Sequence, residues 1–441
     1  MAEVTVGIDI GTTSVKAVAA DGDGRVVARA RVRHPVHSPT ADRFEHDVDQ
    51  AWRRNVRRAL RQVGRDLDVR GVNVAAMVPS LAAVDGRGRG LTRGLLYGDG
   101  RGRAAGGANP AESGELVAFL AWLAAAAPDA SGYWPAQAVA NHALSGEGAV
   151  DTVTAMTALP LFTGVEWDAS VAAGVGVQVA QLPRVVPGSE AVGRVTGTDA
   201  VLGGGTIDAF GEQLVAGADD VGDVLVILGT TLITWAVIDE WREAPGLWTV
   251  PHTAPGRVLI GGPSNAGGLF LDWAGRVSGR GGEPVDPGRV PVWLPYVRGE
   301  RTPLHDPDRR ASLHDLDLTH GAAAIRRAAH EAAGFVVRHH LDLAGVEARR
   351  IVATGGGTHS DLWVRCLADA TGLPVDVVAV PEGAALGSAF LARVTAGLEA
   401  SAGDAGRWAR VSRRVEPDPV WSAAMGPRYE RFRALTGPGP G

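Results

Sequence analysis

Val4-Thr5-Val6-Gly7-Ile8-Asp9-Ile10 runs directly into Gly11-Thr12-Thr13-Ser14-Val15-Lys16: an apolar strand, a tight hydroxyl-rich turn and the start of a second strand. Gly11 lets backbone approach a ligand closely, successive N–H groups in such a turn converge on an anion, and Thr12, Thr13 and Ser14 add hydroxyl donors. Asp9 ends the strand beside them. A carboxylate aimed at a phosphate site needs a divalent cation between the two negative groups, and Mg2+, which retains several waters, suits that place. The stretch reads as a Mg-nucleotide loop of strand, turn and strand. Lys16 is the single lysine of the chain and does not follow a glycine, so a Walker loop with its Gly-Lys is excluded throughout.

A second hairpin of the same design follows in the other half. Asp223-Val224-Leu225-Val226-Ile227-Leu228 ends in Gly229-Thr230-Thr231 and returns as Leu232-Ile233-Thr234-Trp235-Ala236-Val237. One Gly-Thr-Thr turn is weak evidence, whereas two at equivalent places signal an internal duplication in which the repeat is the domain itself. At 441 residues the chain suits two domains with sizeable cores, and alternating strand and helix patterns predict an α/β architecture.

Composition excludes several classes. The net charge of −6, with 5% aromatic residues, offers no basic stacking surface for nucleic acid. The arginines of 53–65 fall on a helix predicted over 50–67. Cys366, the one cysteine, has no internal disulfide partner and reads as a buried thiol in a reducing compartment. No signal peptide is visible, and the apolar stretch 116–127 is too short to span a bilayer, so a cytoplasmic protein without a membrane partner is expected. His330-Glu331 lacks a second histidine at zincin spacing and belongs to a predicted core helix. The composition of 104–113 predicts a surface segment, and that of 436–441 a flexible tail.

Chemistry requires a base. Residues 201–212 predict a strand end, a glycine run and a helix beginning around Asp208. Asp208 reads either as a helix N-cap or as a carboxylate that accepts the proton of a hydroxyl attacking a γ-phosphorus. Near the other end, strand 350–353 runs into Gly355-Gly356-Gly357, where bare backbone would admit an adenine or ribose, or would simply pack a tight strand-to-helix turn.

With these features in order, the chain resembles the FGGY carbohydrate kinases of the sugar kinase, Hsp70 and actin superfamily. The resemblance runs from Val4 to about Val394. Residues 7–16 look like the first phosphate motif and 229–231 like the second. Phe44-Glu45-His46-Asp47 with Trp52 resembles the acidic stretch before a tryptophan, and Tyr97-Gly98-Asp99-Gly100-Arg101 the substrate-contacting segment. Gly299-Glu300-Arg301-Thr302-Pro303 is close to the family signature, residues 353–363 resemble the adenosine motif, and 381–387 the closing helix motif. Met77-Val78-Pro79-Ser80 departs from the Gln-Met-His-Gly of xylulose-type members.

The resemblance implies two actin-like (ribonuclease H-like) domains with a nucleotide cleft between them, 1–217 for sugar and 218–435 for ATP. It implies ATP and Mg2+ as cofactors, a sugar or polyol as substrate, and the homodimer often found in the family. The implied nucleotide residues are Asp9, Gly11, Thr12, Thr13, Ser14, Lys16, Gly229, Thr230, Thr231, Gly267, Gly356, Gly357 and Asp361. Those for substrate are Glu45, Met77, Ser80, Tyr97, Asp99, Arg101 and Asp208. Asp208 is the implied base, and Asp9 and Asp208 are the implied Mg2+ carboxylates, acting through water. Two alternatives stay open: a chaperone-like or regulatory ATPase of the same superfamily, and a catalytically silent sugar-binding protein.

Overall fold

The computed structural model describes residues 3–40, 42–105, 115–186, 190–252, 256–279 and 281–437. The chain divides into two compact units, Met1–Val215 with Glu382–Trp408, and Ala216–Pro381 with Ala409–Gly441.

The first unit is built on β1 (Glu3–Ile10), β2 (Ser14–Ala20), β3 (Val26–Arg33), β4 (Asp68–Ala76), β5 (Ala191–Arg194), β6 (Val201–Gly203) and β7 (Thr206–Ile207). Their order is β5-β6-β4-β1-β2-β3, with β7 also on β4. β1 to β3 form an antiparallel meander, while β4 joins β1, and β6 and β7 join β4, in parallel. The unit also holds a smaller antiparallel sheet of Glu45–His46, Gly94–Leu96, Ser80–Val84 and Gly132–Trp134, and a parallel pair of Ala149–Asp151 with Arg184–Val186.

The second unit repeats the plan with β8 (Asp223–Leu228), β9 (Leu232–Ile238), β10 (Trp248–Pro251), β11 (Val258–Ser264), β12 (Arg350–Thr354), β13 (Val375–Val378) and β14 (Val411–Val415). The order is β10-β11-β9-β8-β12-β13-β14. β8, β9 and β11 are antiparallel, and β12 and β13 add in parallel on the other side of β8. The first strand of each plan is buried on both faces, which explains why 224–228 reads as an unbroken apolar run.

Several expectations need correction. The sequence ran the second half unbroken from 218 to 435, yet 382–408 packs with the first unit, and the other division falls after Val215. The reason is steric: helix Gly383–Thr395 lies directly on β1 and β4 because Gly7 and Gly71 have no side chains. A Cβ at Gly7 would overlap the Ala385 carbonyl, and one at Gly71 would come 2.6 Å from the Ala392 carbonyl oxygen. The helix expected over 50–67 is instead a π-type turn, Asp49–Arg54, continued by a helix Asn55–Val63. Thr436, placed in the tail, is the buried last residue of helix Pro419–Thr436, with its Oγ1 3.3 Å from the Tyr296 hydroxyl. Residues 438–441 and 106–113 lie outside the described residues. Among the described residues no helix is long and apolar enough to cross a membrane, and helix Glu115–Ala126 buries Phe119, Leu120 and Leu123 in the first unit.

Candidate functional site

Three parallel strands of the first unit end at one level. Ile10 pairs with Ala76, and Ala76 with Ile207, so Gly11, Met77 and Asp208 are the first residues beyond β1, β4 and β7. Neighbouring strands are spaced about 4.8 Å apart, and the carboxyl ends of parallel strands are where open α/β sheets bind ligands. Asp9, opposite Lys16 across the hairpin, is buried and accepts from Lys16 Nζ at 3.1 Å. The Asp9 carboxylate raises the Lys16 pKa against the opposing effect of burial, and Glu212 adds to the rise, so Lys16 stays charged.

Asp208 opens helix Asp208–Ala216, where its Oδ1 accepts the Ala209 N–H at 2.7 Å. Three buried carboxamides hold the glycine approach to it. Asn73 Oδ1 accepts from Gly205 N at 2.9 Å, Asn141 Nδ2 donates to the Gly204 carbonyl at 2.9 Å, and Gln137 Nε2 donates to the Ala76 and Thr206 carbonyls at 3.2 and 3.3 Å. None of the three stood out in the sequence, because each acts across a gap of more than sixty residues in the chain.

The first turn, Gly11–Ser14, is closed by Gly11 N donating to the Ser14 carbonyl at 3.1 Å. Its remaining carbonyls are taken by histidines that sequence reasoning also missed. His34 Nε2 faces the Gly11 carbonyl at 3.2 Å, His46 Nε2 faces that of Thr12 at 2.7 Å, and His34 N donates to that of Thr13 at 3.0 Å. Thr12 Oγ1 meets the Tyr97 hydroxyl at 2.8 Å, and Arg31 Nε donates to Ser14 Oγ at 3.2 Å. Tyr97, read as a substrate residue, thus supports the first turn.

The other substrate candidates engage one another. Arg101 Nε and Nη2 grip both oxygens of Asp99 at 2.7 Å, and Nη2 reaches Glu45 Oε1 at 2.6 Å. Asp99 Oδ2 also accepts Phe44 N at 2.7 Å, while Trp122 stacks 4.4 Å from the Arg101 guanidinium. Burial pushes the Asp99 carboxyl up, but Arg101 and the Phe44 amide outweigh it and hold the group below its usual range. Read as sugar ligands from the sequence, Glu45, Asp99 and Arg101 pair with one another, and Asp99 ties this group to the Phe44 backbone. Met77 is buried, and Ser80 Oγ accepts the Ala136 N–H at 3.2 Å. The cavity next to Ser80, about 20 Å³ and lined by Val78, Leu120, Tyr133 and Leu161, has room for a water and not for a sugar.

In the second unit Gly229–Thr231 joins β8 to β9. Gly229 N donates to the Thr231 carbonyl at 3.1 Å, and Gly268 N and Leu269 N donate to the Gly229 and Thr230 carbonyls at 2.9 and 3.2 Å. Gly267, the N-cap of helix Gly268–Ser278, lies so close that a Cβ there would overlap the Thr231 backbone. Glu300 fixes the approach to that helix: it accepts from Ser264 Oγ at 2.6 Å, Asn265 N at 2.8 Å and Arg301 N at 2.7 Å, and burial pushes its carboxyl up to about 7. The parallel strand β12 ends beside β8, so the 355–359 turn emerges next to the Gly229–Thr231 turn. Gly356 faces open space, whereas a Cβ at Gly357 would overlap the Trp363 ring, so only the first offers bare backbone. Asp361 is exposed and paired with Arg413. Cys366 is fully buried, and burial pushes its thiol pKa up.

Among the described residues no group of three or more His, Cys, Asp or Glu side chains could cage a metal ion. The buried Asp9 carboxylate, already paired with Lys16, fits a Mg2+ held chiefly by phosphates and its own waters.

Comparison with known proteins bears on this geometry. The N-terminal domain of the FGGY family of carbohydrate kinases matches residues 4–106, and the C-terminal domain of that family matches residues 224–396. A xylulose kinase of Escherichia coli (strain K12) is 27% identical over 98% of this chain and 98% of its own length. A gluconokinase of Bacillus subtilis (strain 168) is 25% identical over 89% and 87%. The crystal structure of a xylulose kinase from Rhodospirillum rubrum superposes with a TM-score of 0.78 at 26% identity, covering 98% of both chains.

Proposed function

The chain belongs to the FGGY family of carbohydrate kinases and has its actin-like sugar kinase fold, and from that premise we propose that it transfers the γ-phosphoryl group of ATP to a hydroxyl of a ketose such as a pentulose, or of a polyol. The observation that supports the proposal is the common level at which β1, β4 and β7 end, with Asp208 following a strand two positions from the one that leads into the turn read as phosphate-binding.

In this reading Thr12, Thr13, Ser14 and Lys16 hold phosphate oxygens, with Gly229, Thr230 and Thr231 as the second phosphate turn. Gly267 seats that second turn, and Gly356, Gly357 and Asp361 belong to the adenosine end. Asp208 accepts the proton of the attacking hydroxyl at its carboxylate while the turn keeps the phosphoryl group in line. Mg2+ bound with the nucleotide would neutralise charge between phosphate oxygens, with Asp9 and Asp208 reaching its waters. Glu45, Asp99 and Arg101 act on the sugar through the rigid turn that they build, and Met77 and Tyr97 line its approach. A cytoplasmic enzyme free of nucleic-acid and membrane partners, assembled as a homodimer, completes the proposal. The name of the Escherichia coli relative supports a pentulose acceptor, while the Bacillus subtilis gluconokinase keeps aldonates in the test.

The experiment is ADP release from purified protein with Mg-ATP across pentuloses, hexuloses, aldonates and polyols. A rate that rises steeply with one compound supports the kinase and identifies the acceptor. A flat panel from a protein that still binds ATP favours the silent sugar-binding alternative.

A further inference from the structure

We propose that His46, oriented by Trp52 and assisted by His34, is a positioning residue for the nucleotide: it locks the first turn with its carbonyls turned back, so that amides and hydroxyls face the phosphates. The inference rests on the reading of Gly11–Ser14 as a phosphate turn.

A peptide unit that flips exchanges an N–H for a carbonyl oxygen, and a carbonyl facing a phosphate repels it. Turns that begin with glycine are prone to such exchange because the residue has no Cβ to restrict it. Here every carbonyl from Gly11 to Ser14 has a donor: His34 Nε2, His46 Nε2, His34 N and Gly11 N in turn. Two of the four donors are side chains from outside the hairpin's own residues.

The proton on His46 is placed by its neighbour. Indole Nε1–H of Trp52 only donates, and it lies 3.0 Å from His46 Nδ1. Nδ1 therefore accepts, the proton sits on Nε2, and Nε2–H donates to Thr12. Burial, with His34 nearby, pushes His46 down to about 4, so the imidazole stays neutral at neutral pH. Trp52 is fully buried, carried by the Asp49–Arg54 turn and seated against Gly94, where any side chain would overlap its ring. His34 stands edge-on to His46 with ring centroids 4.6 Å apart. Its Nδ1 is buried without a hydrogen-bond partner among the described residues, which agrees with a proton on Nε2 directed at Gly11.

The test uses the full chain with Mg-ADP as the titrated probe, together with steady-state kinetics on the acceptor that the panel identifies. His46→Leu keeps the volume and loses both hydrogen bonds, whereas His46→Gln can accept from Trp52 and donate to Thr12. His46→Leu is expected to weaken Mg-ADP binding about tenfold and to raise the KM for Mg-ATP, leaving the acceptor KM unchanged. His46→Gln is expected to restore both values to within about threefold, and Trp52→Phe to fall between the two. His46→Leu binding like wild type, or His46→Gln as weak as His46→Leu, overturns the inference alone. Wild-type protein that binds no Mg-ADP overturns the phosphate-turn reading and the inference with it. Should His46→Leu fail to fold, the contrast of His46→Gln and Trp52→Phe still decides.

Discussion

The two Gly-Thr-Thr turns meet the same electrostatic problem by different means. Four residues separate the paired Ile10 and Val15 in the first, three separate Leu228 and Leu232 in the second. In the first, histidine side chains from distant segments take the carbonyls of Gly11 and Thr12. In the second, the opening N–H groups of helix Gly268–Ser278 take those of Gly229 and Thr230. A helix start has unpaired donors to offer in any sequence, so the second solution needs only that the helix approach closely. Gly267 provides that approach. The lesson is that one turn depends on side-chain chemistry and the other on the absence of a side chain, and that substitutions should respect this division.

The largest expected effect lies on the first unit alone. Asp208→Asn should lower transfer by about a thousandfold while Mg-ADP affinity is retained, as measured by turnover and calorimetry; persistent turnover would remove the base. Next comes acidity. His46 has a folded pKa of about 4 against an ordinary 6.5, so its neutral form contributes stability that is complete above pH 6.5 and lost as pH falls towards 4. Denaturation across that window should show wild type losing up to about 3 kcal/mol more than His46→Gln, with no divergence above pH 7. A constant difference between the two proteins would mean that the ring is not buried neutral. Gly267→Ala should cost about 1–3 kcal/mol by overpacking and should weaken nucleotide binding. Gly11→Ala, whose Cβ would stand 3.3 Å from the Ser14 carbonyl, should cost less. Equal losses in melting and titration would erase the distinction between the turns. The smallest effect is expected from Glu300→Gln, about 1 kcal/mol by chemical denaturation, because the surviving carbonyl oxygen can still accept from both Asn265 N and Arg301 N and only the Ser264 Oγ contact must be rearranged.

Local patterns made the two hairpins and the helix at Asp208 legible, since a strand, a glycine turn and a return strand are neighbours in the chain. Pairings made across long stretches of chain were not. His46 meets Thr12 and Asn73 meets Gly205 only after the sheet has formed, and no periodicity announces either. Arg101 and Asp99 suggested ligands because the sequence shows charge without showing that Trp122 and Glu45 close over it. The three glycines of 355–357 read alike, yet only neighbouring side chains separate Gly356, which is open, from Gly357, which Trp363 covers. The return of 382–408 to the first unit was hidden for a similar reason: Gly7 looks like a strand residue until a helix is laid on it.

That returning helix sets the order in which the molecule can be completed as it is synthesised. β1 is made before the helix that covers it, Gly383–Thr395, which follows only after the Ala216–Pro381 part of the second unit. Amino-terminal domains usually finish folding while the rest of the chain is translated. Here the first unit must wait with an apolar strand uncovered, and a chain stopped after Pro381 would lack the helix that closes the first unit as well as β14 and helix Pro419–Thr436 of the second.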